Sequence, residues 1–137
     1  MSPEYAREWR RKAEADRAAA KWALRHARRR KDQAEIACFH AEQCAEKYLK
    51  ALLAQEGEAV PRTHDLWELA QKLAKFGFPS AGLKTPLRRL NLYAVEIRYP
   101  GASASISEAA GAIGSMERVV LATQRVLRKS ADPRRKT

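Results

Sequence analysis

Arg98, in the segment EIRYPGASAS (residues 96–105), has the side chain with the clearest potential for chemistry. Apolar residues at helical spacing precede it, and a Pro-Gly pair at residues 100–101 ends that predicted helix. Asn91 lies two turns earlier on the same side. A charge between apolar patches is normally paired or placed in a cleft. Two interpretations stay open: a structural arginine that caps carbonyls or bridges a carboxylate such as Asp16, and a phosphate-binding arginine in a cleft at a dimer interface.

A polar stripe on a second predicted helix forms another candidate site. Its members share one face of the helix over residues 33–56 and are His40, Gln43, Lys47 and Lys50. One interpretation is an ordinary solvated face. The other is that the stripe faces Arg98 and extends an anion-binding groove. His64, at the start of the next helix, is expected to fix the loop before it, and could replace a missing base only if the fold brought it near Arg98.

Composition restricts the possible partners more than the possible folds. The 137 residues carry a formal net charge of +11, which attracts phosphates, acidic proteins or anionic membranes, although an arginine-rich solvated surface explains the charge equally well. Cys38 and Cys44 are six residues apart on one predicted helix and point in different directions, so they cannot form a disulfide with each other. We expect reduced, buried thiols in a cytoplasmic protein.

Other features argue against a metal, a cofactor and a membrane. The sequence contains neither CxxC nor HxxxH spacing, so we expect no metal site, and we expect no cofactor. No apolar run approaches the length of a membrane span, and the N-terminal residues lack the apolar stretch of a signal peptide. We therefore expect no membrane association.

Apolar periodicity predicts the elements that must position these side chains. Helices are expected over residues 4–31 and 33–56, from Thr63 and from Thr85. A last helix is expected after a Ser105–Glu108 capping box, with apolar residues at helical spacing as far as Leu127. The second helix is apolar over more than half its circumference, so it belongs in the middle of a bundle. The predicted fold is all-α: an up-and-down bundle of four long helices plus a short helix, forming one domain over residues 1–130 with a disordered basic tail over 131–137.

Large aromatic side chains recur at helical spacing with other apolar residues. We expect them to pack in the core or at an interface rather than to stack on bases. They are Trp9, Trp22, Trp67 and Tyr48.

Four blocks, taken in order, resemble a known family. The blocks are EWRRKAEADRAAAKWAL, ACFHAEQCAEKYLKALL, RTHDLWELAQKL and IRYPG, followed by a closing amphipathic helix. Together they are similar to the HEPN domain (higher eukaryotes and prokaryotes nucleotide-binding) from about Glu8 to Leu127. The resemblance implies a small helical bundle that commonly dimerises. Many prokaryotic members are encoded beside a minimal nucleotidyltransferase and act with it as toxin and antitoxin.

Active members of that family are metal-independent ribonucleases that use an arginine, a following polar residue and, a few positions later, a histidine. Arg98 matches the arginine, but Tyr99 follows it, and the only three histidines, His26, His40 and His64, all precede it. Metal-free RNA cleavage needs a base for the 2′-hydroxyl and an acid for the leaving oxygen, and imidazole suits both near neutral pH. Arginine stabilises charge but is a poor proton acceptor.

The sequence therefore predicts a homodimeric HEPN protein that binds RNA or a nucleotide, paired with a nucleotidyltransferase in a toxin–antitoxin-like module, with a degenerate ribonuclease motif. The expected binding residues are those of the polar stripe together with Arg98 and Asn91. One alternative is an active ribonuclease in which Arg98 is catalytic and His40 or His64 is the base. The other is a non-catalytic structural dimer that binds an acidic protein partner.

Overall fold

The computed structural model describes residues 3–94 and 100–131 of the chain. It contains five α-helices: α1 (Pro3–His26), α2 (Asp32–Gln55), α3 (Leu66–Leu73), α4 (Lys84–Asn91) and α5 (Ile106–Ala131). Three 3-10 turns accompany the shorter helices, at Ala74–Phe76, Ala81–Leu83 and Leu92–Ala94. No strand occurs within these described ranges. The all-α prediction is confirmed.

The helices differ in length from those expected. α1, α2 and α5 contain 24, 24 and 26 residues, whereas α3 and α4 contain eight each. The predicted fourth long helix is α-helical only as far as Asn91 and then tightens into the turn Leu92–Ala94. Residues 95–99, which include Arg98, lie outside the described residues, as does the predicted tail except for Ala131, the last residue of α5.

The three long helices lie side by side, and α2 and α5 both run antiparallel to α1, since Ser130 at the end of α5 donates to Glu56 just after α2. Ion pairs and hydrogen bonds join Asp16 of α1 to Lys47 of α2, and Arg17 of α1 to Glu117 of α5. Lys50, later in α2, lies over the ring of Trp9, earlier in α1, so α1 and α2 are antiparallel. Nε and Nη2 of Arg17 donate to the two carboxylate oxygens of Glu117, at 2.6 and 2.7 Å. This bidentate ion pair joins α1 to α5.

α2 is the central helix, as its sequence predicted. Its buried residues occupy nearly every turn and include Ala41, Cys44, Leu49 and Leu52, none of them accessible to solvent. α1 presents a row of buried alanines to the core: Ala6, Ala13, Ala20 and Ala23, continued by Ala27 in the turn that follows. Small side chains allow two helix axes to approach closely, because the interaxial distance is set by the side chains at the contact.

Of two predicted helix N-caps, one is confirmed and the other is displaced. Before α5, the Ser105 hydroxyl accepts from the Glu108 N–H at 3.0 Å, and the Ser105 N–H donates to the Glu108 carboxylate at 3.1 Å, so the predicted capping box is present. At α3 the predicted cap, Thr63, is two residues too early. Asp65 is the N-cap, with Oδ1 accepting from the N–H groups of Trp67 and Glu68. Thr63 accepts from the N–H of Asp65 instead.

Both cysteines are free and buried inside α2. Burial is the largest influence on each thiol; it raises the pKa of Cys38 to about 11 and raises that of Cys44 further above its ordinary range. None of the helices in the described ranges is long and apolar enough to cross a membrane. The same residues contain no group of three or more His, Cys, Asp or Glu side chains placed to hold a metal ion.

Candidate functional site

Asn91, expected to accompany Arg98, takes part in the cap of another helix. It is the last residue of α4, and its Oδ1 accepts from the N–H of Leu66 at 2.8 Å. Its Nδ2 donates to Oδ1 of Asp65, the N-cap of α3, at 2.9 Å. Both ends of the amide are therefore used to join the end of α4 to the start of α3. The surroundings of Arg98 lie outside the described residues, so its pairing with Asn91 stays a prediction.

His40 and Lys47, two members of the polar stripe, share one carboxylate on the neighbouring helix. Asp16 of α1 accepts from Nδ1 of His40 at 2.8 Å and from Nζ of Lys47 at 2.6 Å. Burial acts to raise the pKa of Asp16, but the hydrogen bonds from His40 and Lys47 and the charge of Lys47 outweigh it, so the pKa is lowered. This part of the stripe faces α1.

The other two members also find partners close by. Gln43 donates through Nε2 to Oε2 of Glu42 at 2.8 Å. Lys50 and Glu46 form a buried ion pair at 3.0 Å, with side chains only 6% and 5% exposed. Nζ of Lys50 also lies 5.5 Å from the centre of the Trp9 ring, a cation–π distance.

The three histidines all use Nδ1 as a donor. Nδ1 of His40 faces Asp16, Nδ1 of His64 lies 3.0 Å from Oε1 of Glu46, and Nδ1 of His26 lies 2.8 Å from the carbonyl oxygen of Trp22. Carboxylate and carbonyl oxygens only accept, so the proton belongs on Nδ1 in each case. In the neutral ring, Nε2 is then left as the nitrogen able to take up a proton. Among the three, His40 alone has its Nδ1 on a well-buried carboxylate and is itself mainly buried. Its side chain is 30% exposed.

The stripe is less positive than its sequence indicated. Lys47 is neutralised by Asp16, and Lys50 by Glu46, so neither lysine is a free cation. Groups of basic side chains without an ion pair to any described residue lie elsewhere. Three such groups are the end of α1 and the following turn (Arg25, Arg28, Arg29, Lys31), α4 (Arg88, Arg89), and the last turns of α5 (Arg125, Arg128, Lys129). An anion-binding role for the stripe stays a prediction.

Surface cavities lie along α1, and two of them are formed against a second long helix. One, of about 360 Å³, is formed against α2 and is lined by Tyr5, Glu8, Trp9, Lys12 and Lys47. The other, of about 440 Å³, is formed against α5 and is lined by Arg10, Gln124, Leu127 and Arg128. The first contains two aromatic rings, 6.1 Å apart in an edge-to-face contact. Of its charged lining residues, Lys47 is paired with Asp16 and Glu8 with Arg11. Its volume lies within the range of small-molecule sites.

The sequence did not reveal that Asp16 bonds to the polar stripe. Its two hydrogen bonds go to His40 and Lys47 of α2, and the pairing of Asp16 with Arg98 stays a prediction because Arg98 lies outside the described residues. Trp22, expected in the core or at an interface, is 50% exposed and so lies outside the core. Helical periodicity agrees with this, because Trp22 falls outside the row of buried alanines in α1.

Comparisons with known proteins agree with the architecture. A model of the HEPN domain matches residues 6–126. The fold is similar to the crystal structure of TT1696 from Thermus thermophilus, with a TM-score of 0.77 and 25% identity over 88% of this chain and 97% of that one. It is also similar to ST0689, an archaeal HEPN homologue, with a TM-score of 0.70, 25% identity and the same coverage. Comparison with curated proteins gave no match. The chain belongs to the HEPN domain family.

Proposed function

We propose that this chain is a HEPN protein that binds RNA or a nucleotide as a homodimer, and that its ribonuclease centre is incomplete. HEPN domains often form dimers, which supports the oligomeric state. A nucleotidyltransferase partner, in a toxin–antitoxin-like pair, is part of the proposal and follows from the family resemblance. A cytoplasmic location goes with it, because free, buried thiols suit a reducing compartment.

The observation that carries the proposal is the placement of the histidines. All three histidines precede Arg98 in the sequence, whereas active members of the family carry their histidine a few positions after the arginine. Arg98 would therefore keep the part that attracts a phosphate and lack the adjacent imidazole that moves protons. Binding of RNA would survive the loss of that imidazole, because phosphate contacts need only positive charge.

A test uses the purified full chain with RNA and a chelator in place of metal. We expect retention of RNA that weakens as salt is raised and no cleavage above background. Arg98→Ala should weaken retention more than Arg62→Ala, which removes an arginine from the loop before α3. Absence of retention at about 50 mM salt would contradict the proposal and favour the structural dimer with an acidic partner.

A second candidate, the active ribonuclease, is favoured by one specific observation. The Asp16 carboxylate orients His40 so that its Nε2 is the basic nitrogen, an arrangement used by general bases. His40→Asn would remove Nε2 while its side-chain amide still donates to Asp16. If the chain cleaves RNA without metal and both His40→Asn and Arg98→Ala abolish cleavage, this candidate replaces the first.

A further inference from the structure

The indole of Trp22 lies on the outer surface of the bundle. It is 50% exposed, whereas Ala13, Ala20 and Ala27, on the opposite side, are 0–1% exposed and face the core. Ala18 and Ala19, one turn earlier, have side chains too small to cover the ring. A single exposed apolar residue is common on protein surfaces, so the case for a binding surface depends on what surrounds the ring.

His26 makes this ring part of a larger flat surface. The imidazole stacks on the indole with ring centres 3.9 Å apart and an angle of 23° between the planes. The hydrogen bond from Nδ1 of His26 to the carbonyl oxygen of Trp22, at 2.8 Å, fixes the orientation of the imidazole. The two rings are therefore held in place before any ligand arrives, which lowers the entropy lost on binding.

Cations lie beside the stacked rings. Arg25 follows Trp22 by three residues within α1, so it shares the Trp22 side of the helix, about 4.5 Å further along the axis. Arg29 lies in the turn after α1, where its N–H donates to the carbonyl oxygen of His26 at 3.1 Å and joins its backbone to that of the stacked imidazole residue. Arg28 and Lys31 add charge in the same turn. These four side chains make no ion pair with a described residue, whereas Arg30 is paired with Asp32 at 3.2 Å. The available charge at this end of α1 is therefore strongly positive.

We propose that Trp22 and His26, together with Arg25 and Arg29, bind single-stranded nucleic acid. An unpaired base stacks on the exposed part of the Trp22 ring, and the phosphates that follow it along the strand contact the two arginines. Bases in a duplex already stack on each other, so only a single strand or a loop presents a free base face. The inference rests on the proposed function and locates one contact surface for it, separate from Arg98.

The test measures binding of a fluorescein-labelled oligouridine of about 12 nucleotides, within the span of single-strand sites, by fluorescence anisotropy. The full chain is compared with Trp22→Leu, which keeps an apolar side chain but removes the ring, and with Trp22→Phe, which keeps a ring. We expect Trp22→Leu to bind roughly tenfold more weakly, and Trp22→Phe to stay within about threefold of the original chain. Tryptophan fluorescence of the original chain should also be quenched by the unlabelled oligonucleotide, and less quenching should remain in Trp22→Phe.

The salt dependence of oligouridine binding tests the two arginines separately from the Trp22 ring. The double variant Arg25→Gln/Arg29→Gln should reduce the slope of log K against log salt by about 1.4, since each single-strand phosphate contact contributes roughly 0.7. The matched control is Arg62→Gln/Lys72→Gln, which removes the same charge from the loop before α3 and from α3 itself. It should leave the slope nearly unchanged.

The outcomes separate this inference from the proposed function. If the original chain binds no oligouridine, this inference and the RNA-binding part of the proposed function are both wrong. If it binds and Trp22→Leu binds equally well, only the inference is overturned. If Trp22→Leu weakens retention of polyglutamate but not of oligouridine, the surface serves an acidic protein and the inference is also overturned. Equal slopes for the two charge variants would show binding without a defined site, which is a further refutation.

Discussion

Replacing Asp16 with asparagine removes the charge that joins α1 to the polar stripe of α2. The Asp16 side chain is 11% exposed and accepts two hydrogen bonds, from Nδ1 of His40 at 2.8 Å and from Nζ of Lys47 at 2.6 Å. Asparagine has nearly the same shape but only one accepting oxygen. Its amide NH₂ group would point at one of the two donors, so at least one bond is lost and the other is weakened.

The expected loss of stability follows from the burial of the three side chains. Removing one partner of a fully buried ion pair costs about 3–5 kcal/mol, and a hydrogen bond to a charged group contributes about 1.5–3 kcal/mol. The side chains of His40 and Lys47 are 30% and 24% exposed, so water can replace part of what they lose. We expect Asp16→Asn to lower the free energy of unfolding by about 2 kcal/mol at neutral pH, equivalent to roughly 7 °C in Tm for a chain of this length.

The pH dependence provides the sharper measurement. The pKa of Asp16 is lowered in the folded chain from an ordinary value of 3.8. A carboxylate with a lowered folded pKa stabilises fully above its unfolded pKa, and this stabilisation disappears as pH falls through the folded value. The difference between the original chain and Asp16→Asn, measured by urea unfolding, should therefore be constant near neutral pH and shrink below 3.8.

Asp32→Asn is the matched control. Asp32 is 55% exposed and pairs with Arg30 on the surface, so its loss should cost less than about 1 kcal/mol. Equal losses for the two variants, or a difference for Asp16→Asn that persists unchanged at acid pH, would refute the reasoning.

Two further predictions concern the bundle itself. Asn91→Ala leaves the N–H of Leu66 without its acceptor. It should lower the free energy of unfolding by about 1 kcal/mol, a typical cost for a lost helix cap. An unchanged urea midpoint would show that water replaces the amide. Cys38 and Cys44 should react with a disulfide thiol reagent only after unfolding, because both are buried and their thiolates are disfavoured; rapid release of one equivalent from the native chain at neutral pH would contradict this.

The packing of the helices changes the interpretation of the polar stripe on α2. The stripe residues were selected for lying on one face of α2, and they do. Lys47 and His40, however, bond to Asp16 on another helix, and no spacing rule associates these residues in advance. Lys50 is balanced by Glu46 at the i,i+4 spacing, which the sequence does display. The positive charge available to a ligand lies at the ends of the helices instead, near Arg25 and Arg29.

The sequence alone determined the features that depend on neighbours within a few residues. Apolar periodicity gave the all-α class and the central place of α2, and the Ser105–Glu108 pair gave the start of α5. These succeed because a helix is stabilised by contacts three or four positions apart, which the order of residues displays directly. The ordered blocks that resemble the HEPN domain belong to the same category.

Only the tertiary structure decided which polar groups meet. Asp16 bonds to residues 24 and 31 positions away, and Asn91 to residues 25 and 26 positions away. It also decided that Trp22 lies outside the core. Such contacts depend on how the helices are rotated and offset against one another, and this is set by the packing of many side chains at once. A pattern within one helix shows which face is apolar, but the partner of each polar group is fixed only when a second helix is placed against it.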